Sequence, residues 1–297
     1  YKQVTLHHTI KGRNVDEATG DPAVITVGDI DADARSKTIA FSSVDGLSLS
    51  LGVTYGDTSV NSEASGATRA YVGKNTTLNA GHVNLRAEEL DLTLADDGVE
   101  SMANALIGGI DAALLVTVTD SDTTATASRE TEAFAGPGST LNLGTSTFTA
   151  EADNTISGPL ASAVVSGGSG AGIANVSSLS APALVGAGAG QESATRSYVG
   201  SGTTVHAGAL TLNALSHTRA DATVESGSGA GIADISQTNI VATSAHDTEA
   251  YVGDNATLIL TGALQITADG TWIAEPTSTI VTVAGLLTLG DSDVYAT

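Results

Sequence analysis

Apolar and polar residues alternate with a period of two along much of this chain, most regularly between residues 210 and 225. Leu210, Leu212 and Val224 belong to a series of even positions with mostly small or aliphatic side chains, and the odd positions between them are mostly polar. A period of two is that of a β-strand with one buried face, and no segment has the caps and 3.6-residue period of an amphipathic helix. Glycine steps such as Gly73 and Gly136 mark turns between the runs. The pattern predicts an all-β chain.

One motif recurs four times, an aromatic residue followed by Val-Gly or Ala-Gly and then by a Thr-Leu or Thr-Val pair. The aromatic residues are Tyr71, Phe134, Tyr198 and Tyr251, at intervals of 63, 64 and 53 residues. Repetition indicates one continuous array rather than unrelated domains. We assign residues 1–45 to a leading part, residues 46–108, 109–171, 172–230 and 231–284 to four modules, and residues 285–297 to the start of a further module. We also expect a segment of a longer protein, since the chain opens at Tyr1 and has one methionine, Met102.

Two architectures fit short alternating strands in a long repeat. Sandwich domains need about 100 residues and a bulky core, whereas this unit has about 60 residues and the sole tryptophan, Trp272, lies outside the repeated motif. A solenoid coil needs only about 20 residues and is lined by small aliphatic side chains. The sequence therefore favours a parallel β-solenoid with about three coils in each module.

Composition and charge narrow the function classes. The chain has 297 residues, 11 Lys and Arg against 33 Asp and Glu, a net charge of −22, 3% aromatic residues and no cysteine. The absence of cysteine excludes disulfides and thiolate metal sites. The acidic excess argues against nucleic acid as a partner, because phosphate binding needs clustered Lys and Arg. No uninterrupted apolar run reaches the roughly 18 residues of a membrane-spanning helix, so we expect no membrane insertion in this segment.

The repeated motif, together with the Ala-, Gly-, Ser- and Thr-rich strands between its copies, resembles the haemagglutinin-like repeats of giant bacterial surface adhesins. The resemblance covers roughly residues 46–297. It implies a right-handed parallel β-helix, export to the cell surface or the extracellular space, and an adhesive or matrix-building role. The secretion module that two-partner-secreted haemagglutinins carry at the amino terminus is not visible in this sequence.

Three Asp-x-Asp groups are the candidate metal ligands. In a strand, residues two apart face the same side, so Asp120 with Asp122, and Asp291 with Asp293, could each present two carboxylates to a calcium ion. A third group lies at Asp29, Asp31 and Asp33. The competing interpretation, strand-end and turn aspartates, stays open, because calcium needs six to eight oxygen ligands. We expect no required cofactor, calcium as the candidate ligand, and stabilisation by calcium chiefly in residues 220–297, which contain no Lys or Arg.

The alternation also predicts which side chains face outward. Tyr71, Tyr198 and Tyr251 each adjoin an inward valine, so they are predicted to lie on the surface and to offer contact area to a sugar or a neighbouring rod. The predicted inward set is Val72, Leu78, Leu85, Val199, Val205, Leu212, Val252, Leu258 and Ile266. Two residues before each aromatic, the charge alternates in sign through Arg69, Glu132, Arg196 and Glu249. At three coils per module these groups would be about 14 Å apart, too far to pair directly.

The function predicted from these patterns is structural. We expect a non-enzymatic segment of a large secreted bacterial surface protein that acts as an adhesin stalk or an extracellular fibre. Candidate partners are further copies of the chain, through stacking or rod-to-rod contacts, and cell-surface or matrix glycans. The alternative is a β-helix that binds or degrades polysaccharide. Scattered acids, few aromatic residues and repetition of the whole unit count against an enzyme, because glycosidases use one dedicated pair of carboxylates.

Overall fold

The computed structural model describes residues 2–6, 23–91, 101–186 and 193–297, which form 21 strands and no helix. Sheet A contains β1 (Lys2–Leu6), β3 (Ile30–Ser36), β4 (Ala40–Ser50), β7 (Val83–Glu89), β8 (Ala103–Ala113), β11 (Thr147–Thr155), β12 (Ala161–Ala171), β16 (Ala209–Ala230) and β20 (Leu264–Ala284). Sheet B contains β2 (Ala23–Thr26), β6 (Thr76–Asn79), β10 (Thr140–Asn142), β15 (Thr204–Ala207) and β19 (Thr257–Leu260). Sheet C contains β5 (Val53–Val72), β9 (Val116–Ala135), β13 (Ala174–Val185), β14 (Ala194–Val199), β17 (Ala233–Ser244), β18 (Asp247–Val252) and β21 (Leu287–Ala296).

The strands of each sheet pair in parallel, except for β1, which is antiparallel to β3. Each strand pairs with the equivalent strand of the next repeat, so that Tyr71 of β5 stands opposite Phe134 of β9, and Tyr198 of β14 opposite Tyr251 of β18. The repeats therefore stack as five layers, which are formed by the described residues within 23–72, 76–135, 140–199, 204–252 and 257–296. Among the described residues, no helix is long and apolar enough to cross a membrane.

The predicted count of three coils per module is wrong, because one module supplies one layer. Residues paired across neighbouring strands are a whole repeat apart, as in the pairing of Leu78 with Leu141 and of Val205 with Leu258. One layer needs a whole repeat because its strands are long: β16 has 22 residues and β9 has 20. Alanines make up much of the buried core between the long strands, so no bulky core is needed to hold them face to face.

Two-residue turns join sheet A to sheet C in every layer, at residues 51–52, 114–115, 172–173, 231–232 and 285–286. Beside these A–C turns, an alanine-rich core between the two sheets includes Ala105, Ala163 and Ala222. A second core lies where all three sheets meet, and its larger residues include Leu85, Leu141 and Leu212. The chain thus buries small aliphatic side chains in two parallel columns.

The predicted direction of the side chains is confirmed for six of the nine residues predicted to face inward. Val72, Leu78, Leu85, Val199, Val205 and Leu212 are buried, and the neighbouring tyrosines lie on the opposite face. Val252 and Leu258 are only partly buried, and Ile266 is exposed although it continues the column of Leu212. These three side chains belong to the last two layers, where fewer neighbours cover them.

Candidate functional site

Four aromatic rings form a ladder on the outer face of sheet C. Tyr71, Phe134, Tyr198 and Tyr251 come from four successive layers, and their ring centroids are 5.0, 4.6 and 5.0 Å apart. The planes of neighbouring rings differ by no more than 6°. In-register parallel strands lie about 4.8 Å apart, so identical side-chain conformations place equivalent rings at stacking distance. Phe134 was missing from the predicted surface set, although it occupies the same position in the repeat motif.

Because the rings stack on one another, their edges rather than their faces point away from the sheet. The central rings of Phe134 and Tyr198 have a neighbour on both sides. A sugar that stacks on an aromatic ring needs a free face, so this geometry limits contacts at the central rings to their edges and hydroxyl groups. The predicted role of Tyr71, Tyr198 and Tyr251 in surface contact stays a prediction.

The ladder also affects ionisation of its tyrosines. Burial raises the pKa of Tyr198, and the negative charge of Glu132 raises it further. Burial and the charge of Glu249 likewise raise the pKa of Tyr251. Both phenols therefore stay neutral around pH 7 and keep a hydroxyl that can donate a hydrogen bond.

A ladder of alternating charges runs beside the rings, and it overturns the expectation that these groups are too far apart to pair. Glu132 Oε2 accepts a hydrogen bond of 2.5 Å from Arg69 Nε, and Glu249 Oε2 accepts one of 3.0 Å from Arg196 Nε. Arg196 Nη1 also lies 3.9 Å from Glu132 Oε1. Since one repeat makes one layer, residues a repeat apart stand on adjacent strands, where opposite charges attract. Glu130 adds a second carboxylate at Arg69.

A polar seam separates the two apolar cores, and no sequence argument identified it. Its centre is Arg129, which points inward from β9 and is 1% exposed. Arg129 Nη2 donates a hydrogen bond of 2.6 Å to Glu89 Oε2 and one of 2.5 Å to the hydroxyl of Ser36. Thr68 donates to the same Glu89 oxygen at 3.3 Å. Burial raises the pKa of Glu89, while the charge and hydrogen bond of Arg129 act in the opposite direction.

The seam continues into the next two layers. His246 is buried, with its Nδ1 at 2.8 Å from the Ser193 hydroxyl and its Nε2 at 2.8 Å from the Thr195 hydroxyl. Burial, with a smaller contribution from the charge of Arg196, lowers the pKa of His246 to about 4. The amide of Asn154 is fully buried and has no hydrogen-bond partner in the described part of the chain. Buried sites of this polarity are where proteins hold ordered water.

The predicted metal ligands lie on the outer face of sheet C. Asp120 is aligned with Asp57, and Asp122 with Ser59. Asp291 and Asp293 lie on β21, opposite Gln237 and Asn239. Within the described ranges, no three His, Asp or Glu side chains come together as a group that could hold a metal. Calcium binding at these aspartates stays a prediction.

No family model, curated protein or solved structure matches this chain. The similarity to haemagglutinin-like repeats therefore rests on the repeated motif alone. The sites that the geometry itself defines are the two ladders on sheet C and the polar seam.

Proposed function

We propose that this chain is a right-handed parallel β-solenoid that serves as a structural segment of a large bacterial surface protein, either an adhesin stalk or an extracellular fibre. The observation that carries the proposal is the alignment of equivalent residues across successive layers, seen most clearly in the four stacked rings. Each layer presents backbone hydrogen-bonding groups and equivalent side chains to the layer that follows it. An array of this kind grows by adding repeats.

The width of each layer supports a mechanical role. Strands β5 and β9 alone are aligned over 20 residue positions. Each added layer lengthens the array by only about 4.8 Å, but the interface between layers is as wide as the longest strands, roughly 65 Å. Backbone hydrogen bonds between layers run along the axis, so tension along the axis is shared by many of them at once.

Single-molecule force spectroscopy tests the proposal. Pulling on the two ends of the chain should detach the outermost layers one at a time, because each layer contacts only its neighbours. Each event should release about 60 residues, or about 200 Å of extended chain. Unfolding of the whole chain in one event, or at forces no higher than those for a loosely packed globular domain, would contradict a load-bearing role.

A further inference from the structure

Sheets A and C enclose a cavity between them, near the A–C turns of layers one to three. Its volume is about 350 Å³, at the lower end of the range for small-molecule sites. Ile107, Val165 and Leu179 line its inner part and are only 5%, 3% and 8% exposed. Ser226 of layer four is its deepest lining residue. The cavity therefore reaches well inside the stack and is more than an uncovered end of it.

A row of glycines accounts for the space between the sheets. Gly46, Gly109 and Gly167 are aligned in layers one to three, and Ser226 and Ile280 continue the row in layers four and five. A Cβ atom at Gly109 would lie 2.5 Å from the carbonyl oxygen of Gly46, and one at Gly167 would collide in the same way with that of Gly109. The close approach of successive strands thus requires glycine here. The first three layers therefore have no side chain in this row.

The rows on either side of the glycines give the cavity an apolar side and a polar side. The apolar row consists of Val44, Ile107 and Val165, and the polar row consists of Ser48, Asp111 and Ser169. Sheet C adds the hydroxyl groups of Thr119 and Ser121 to the wall. A molecule that fills the cavity therefore needs both an apolar part and a part that forms hydrogen bonds.

Asp111 determines the charge of the polar side. It is partly buried, and its Oδ2 accepts a hydrogen bond of 3.2 Å from Thr119 Oγ1. Gly56 lies next to it in layer one, where a Cβ atom would be only 2.9 Å from Asp111 Oδ2. The described residues that line the cavity include no Lys, Arg or His, and their second carboxylate, that of Asp57, is exposed. The Asp111 carboxylate thus borders the cavity without a cationic partner in its wall.

Hydrogen-bond acceptors also predominate behind the polar side. Asn175 Nδ2 donates to Ser169 Oγ at 3.0 Å and to Asp234 Oδ1 at 2.9 Å. Asn175 and Asp234 are both 0% exposed, and Asn175 Oδ1 has no hydrogen-bond partner among the described residues. Charges of one sign in a recess with apolar walls reinforce one another's field. The cavity is therefore suited to a cation that donates hydrogen bonds, rather than to a neutral molecule or an anion.

We propose that this cavity binds a small organic cation, consisting of a primary ammonium group on a short aliphatic body. The ammonium group has three N–H donors and no acceptor, so it pairs with Asp111 and donates to the hydroxyl groups of Ser121 and Ser169. The aliphatic body packs against Ile107 and Val165. An inorganic cation would leave this apolar row without a contact, and a quaternary ammonium group would leave the acceptors without a donor. Ligand binding of this kind goes beyond the proposed mechanical function.

Titration of the full chain with butylammonium, followed by the amide chemical shifts in nuclear magnetic resonance spectra, tests the proposal. We expect a dissociation constant in the millimolar range, because the ligand has few non-hydrogen atoms, and shifts that concentrate in residues 107–111 and 165–169. The probes 1-butanol and butyrate have the same aliphatic body without the positive charge, and potassium has the charge without the body. At equal ionic strength, each of these three should bind at least about tenfold more weakly than butylammonium.

Variants of the wall locate the site. Asp111→Asn keeps the shape of the side chain and the acceptor for Thr119 but removes the charge, so it should weaken butylammonium binding at least about tenfold. The matched control Asp254→Asn removes one charge from an exposed position in the turn after β18 and should leave the affinity unchanged. Ser121→Val adds apolar volume to the wall, so it should weaken binding without lowering the melting temperature of the chain.

A wild-type chain that shows no binding up to about 100 mM butylammonium would overturn the proposal. So would wild-type affinity in Asp111→Asn. Equal affinity for 1-butanol or butyrate would show that the positive charge is not recognised, and equal affinity for potassium would show that the aliphatic body is not; either result would also overturn it. None of these results bears on the layer-by-layer unfolding expected under force, so the two proposals fail separately.

Discussion

At the scale of single residues, the polar seam contains charged and polar side chains that are buried away from water. Arg129 and Glu89 are a buried ion pair, and such a pair costs free energy to desolvate even when its hydrogen bonds are well made. The seam also contains Asn154, whose amide has no hydrogen-bond partner among the described residues. Stability should therefore be most sensitive to substitution at these few positions.

Replacing Arg129 by methionine should destabilise the chain by about 3–5 kcal/mol at pH 7, because Glu89 stays buried without its cation. Burial already raises the pKa of Glu89. Loss of the Arg129 charge should raise the pKa of Glu89 in the folded variant further, while the pKa in the unfolded state keeps its ordinary value of 4.5. The loss of unfolding free energy relative to wild type should therefore grow as pH rises above 4.5. Urea unfolding at pH 4 and pH 7 measures this difference. The double variant Arg129→Met/Glu89→Gln should recover stability at pH 7, and an equal deficit at both pH values would contradict the ion pair.

His246 should make stability fall in acid. Its pKa is about 4 in the folded chain, against an ordinary value of 6.5, so the folded state favours the neutral ring. This preference stabilises the folded state by up to about 3 kcal/mol above pH 6.5, and that stabilisation is lost as pH falls from 6.5 to 4. His246→Gln should flatten this part of the stability profile, and His217→Gln, on the outer face of sheet A, is the matched control. A profile that is unchanged in His246→Gln would show that another group is responsible.

At the scale of elements, the charge ladder couples strands of neighbouring layers. Glu132 is the central member, between Arg69 and Arg196. Glu132→Gln should lower the free energy of unfolding by roughly 1 kcal/mol, a modest value because Arg69 is partly exposed and solvent screens the pair. The loss should shrink in high salt, whereas Glu225→Gln on sheet A should cost little at any salt concentration. Chemical denaturation in low and high salt measures both variants, and a loss independent of salt would argue against an electrostatic origin.

Strand alternation was predictable from the sequence, because it depends only on neighbouring residues. Val199 and Leu212 face inward where the period of two places them. Strand pairing was not predictable in the same way. A repeat shows which positions are equivalent, but it does not show how many coils of the stack lie between them. The alternating signs of Arg69, Glu132, Arg196 and Glu249 contained the missing information, because alternating charges of this kind are favoured on directly adjacent strands. Arg129 gave a similar signal, as the single charged residue in an inward series that includes Ala125, Ala127 and Ala133.

At the scale of the whole molecule, one layer per repeat makes the stack broad and short. The five layers have a height of about 20 Å, whereas their longest strands reach roughly 65–70 Å. Length along the axis is therefore gained slowly, at about 4.8 Å for each repeat, and the interface gained with each repeat is large. A wide interface between neighbouring layers is what the proposed mechanical role requires.

The distance between two aligned positions four layers apart tests the central claim most directly. Asp57 and Asp291 are both exposed and belong to the same row across the five layers. The chain has no cysteine, so Asp57→Cys/Asp291→Cys gives a single pair of sites for spin labels. Electron–electron double resonance should show a separation of about 20 Å plus the reach of the labels if each repeat is one layer. A separation near 60 Å, which three coils per repeat would produce, would contradict the account.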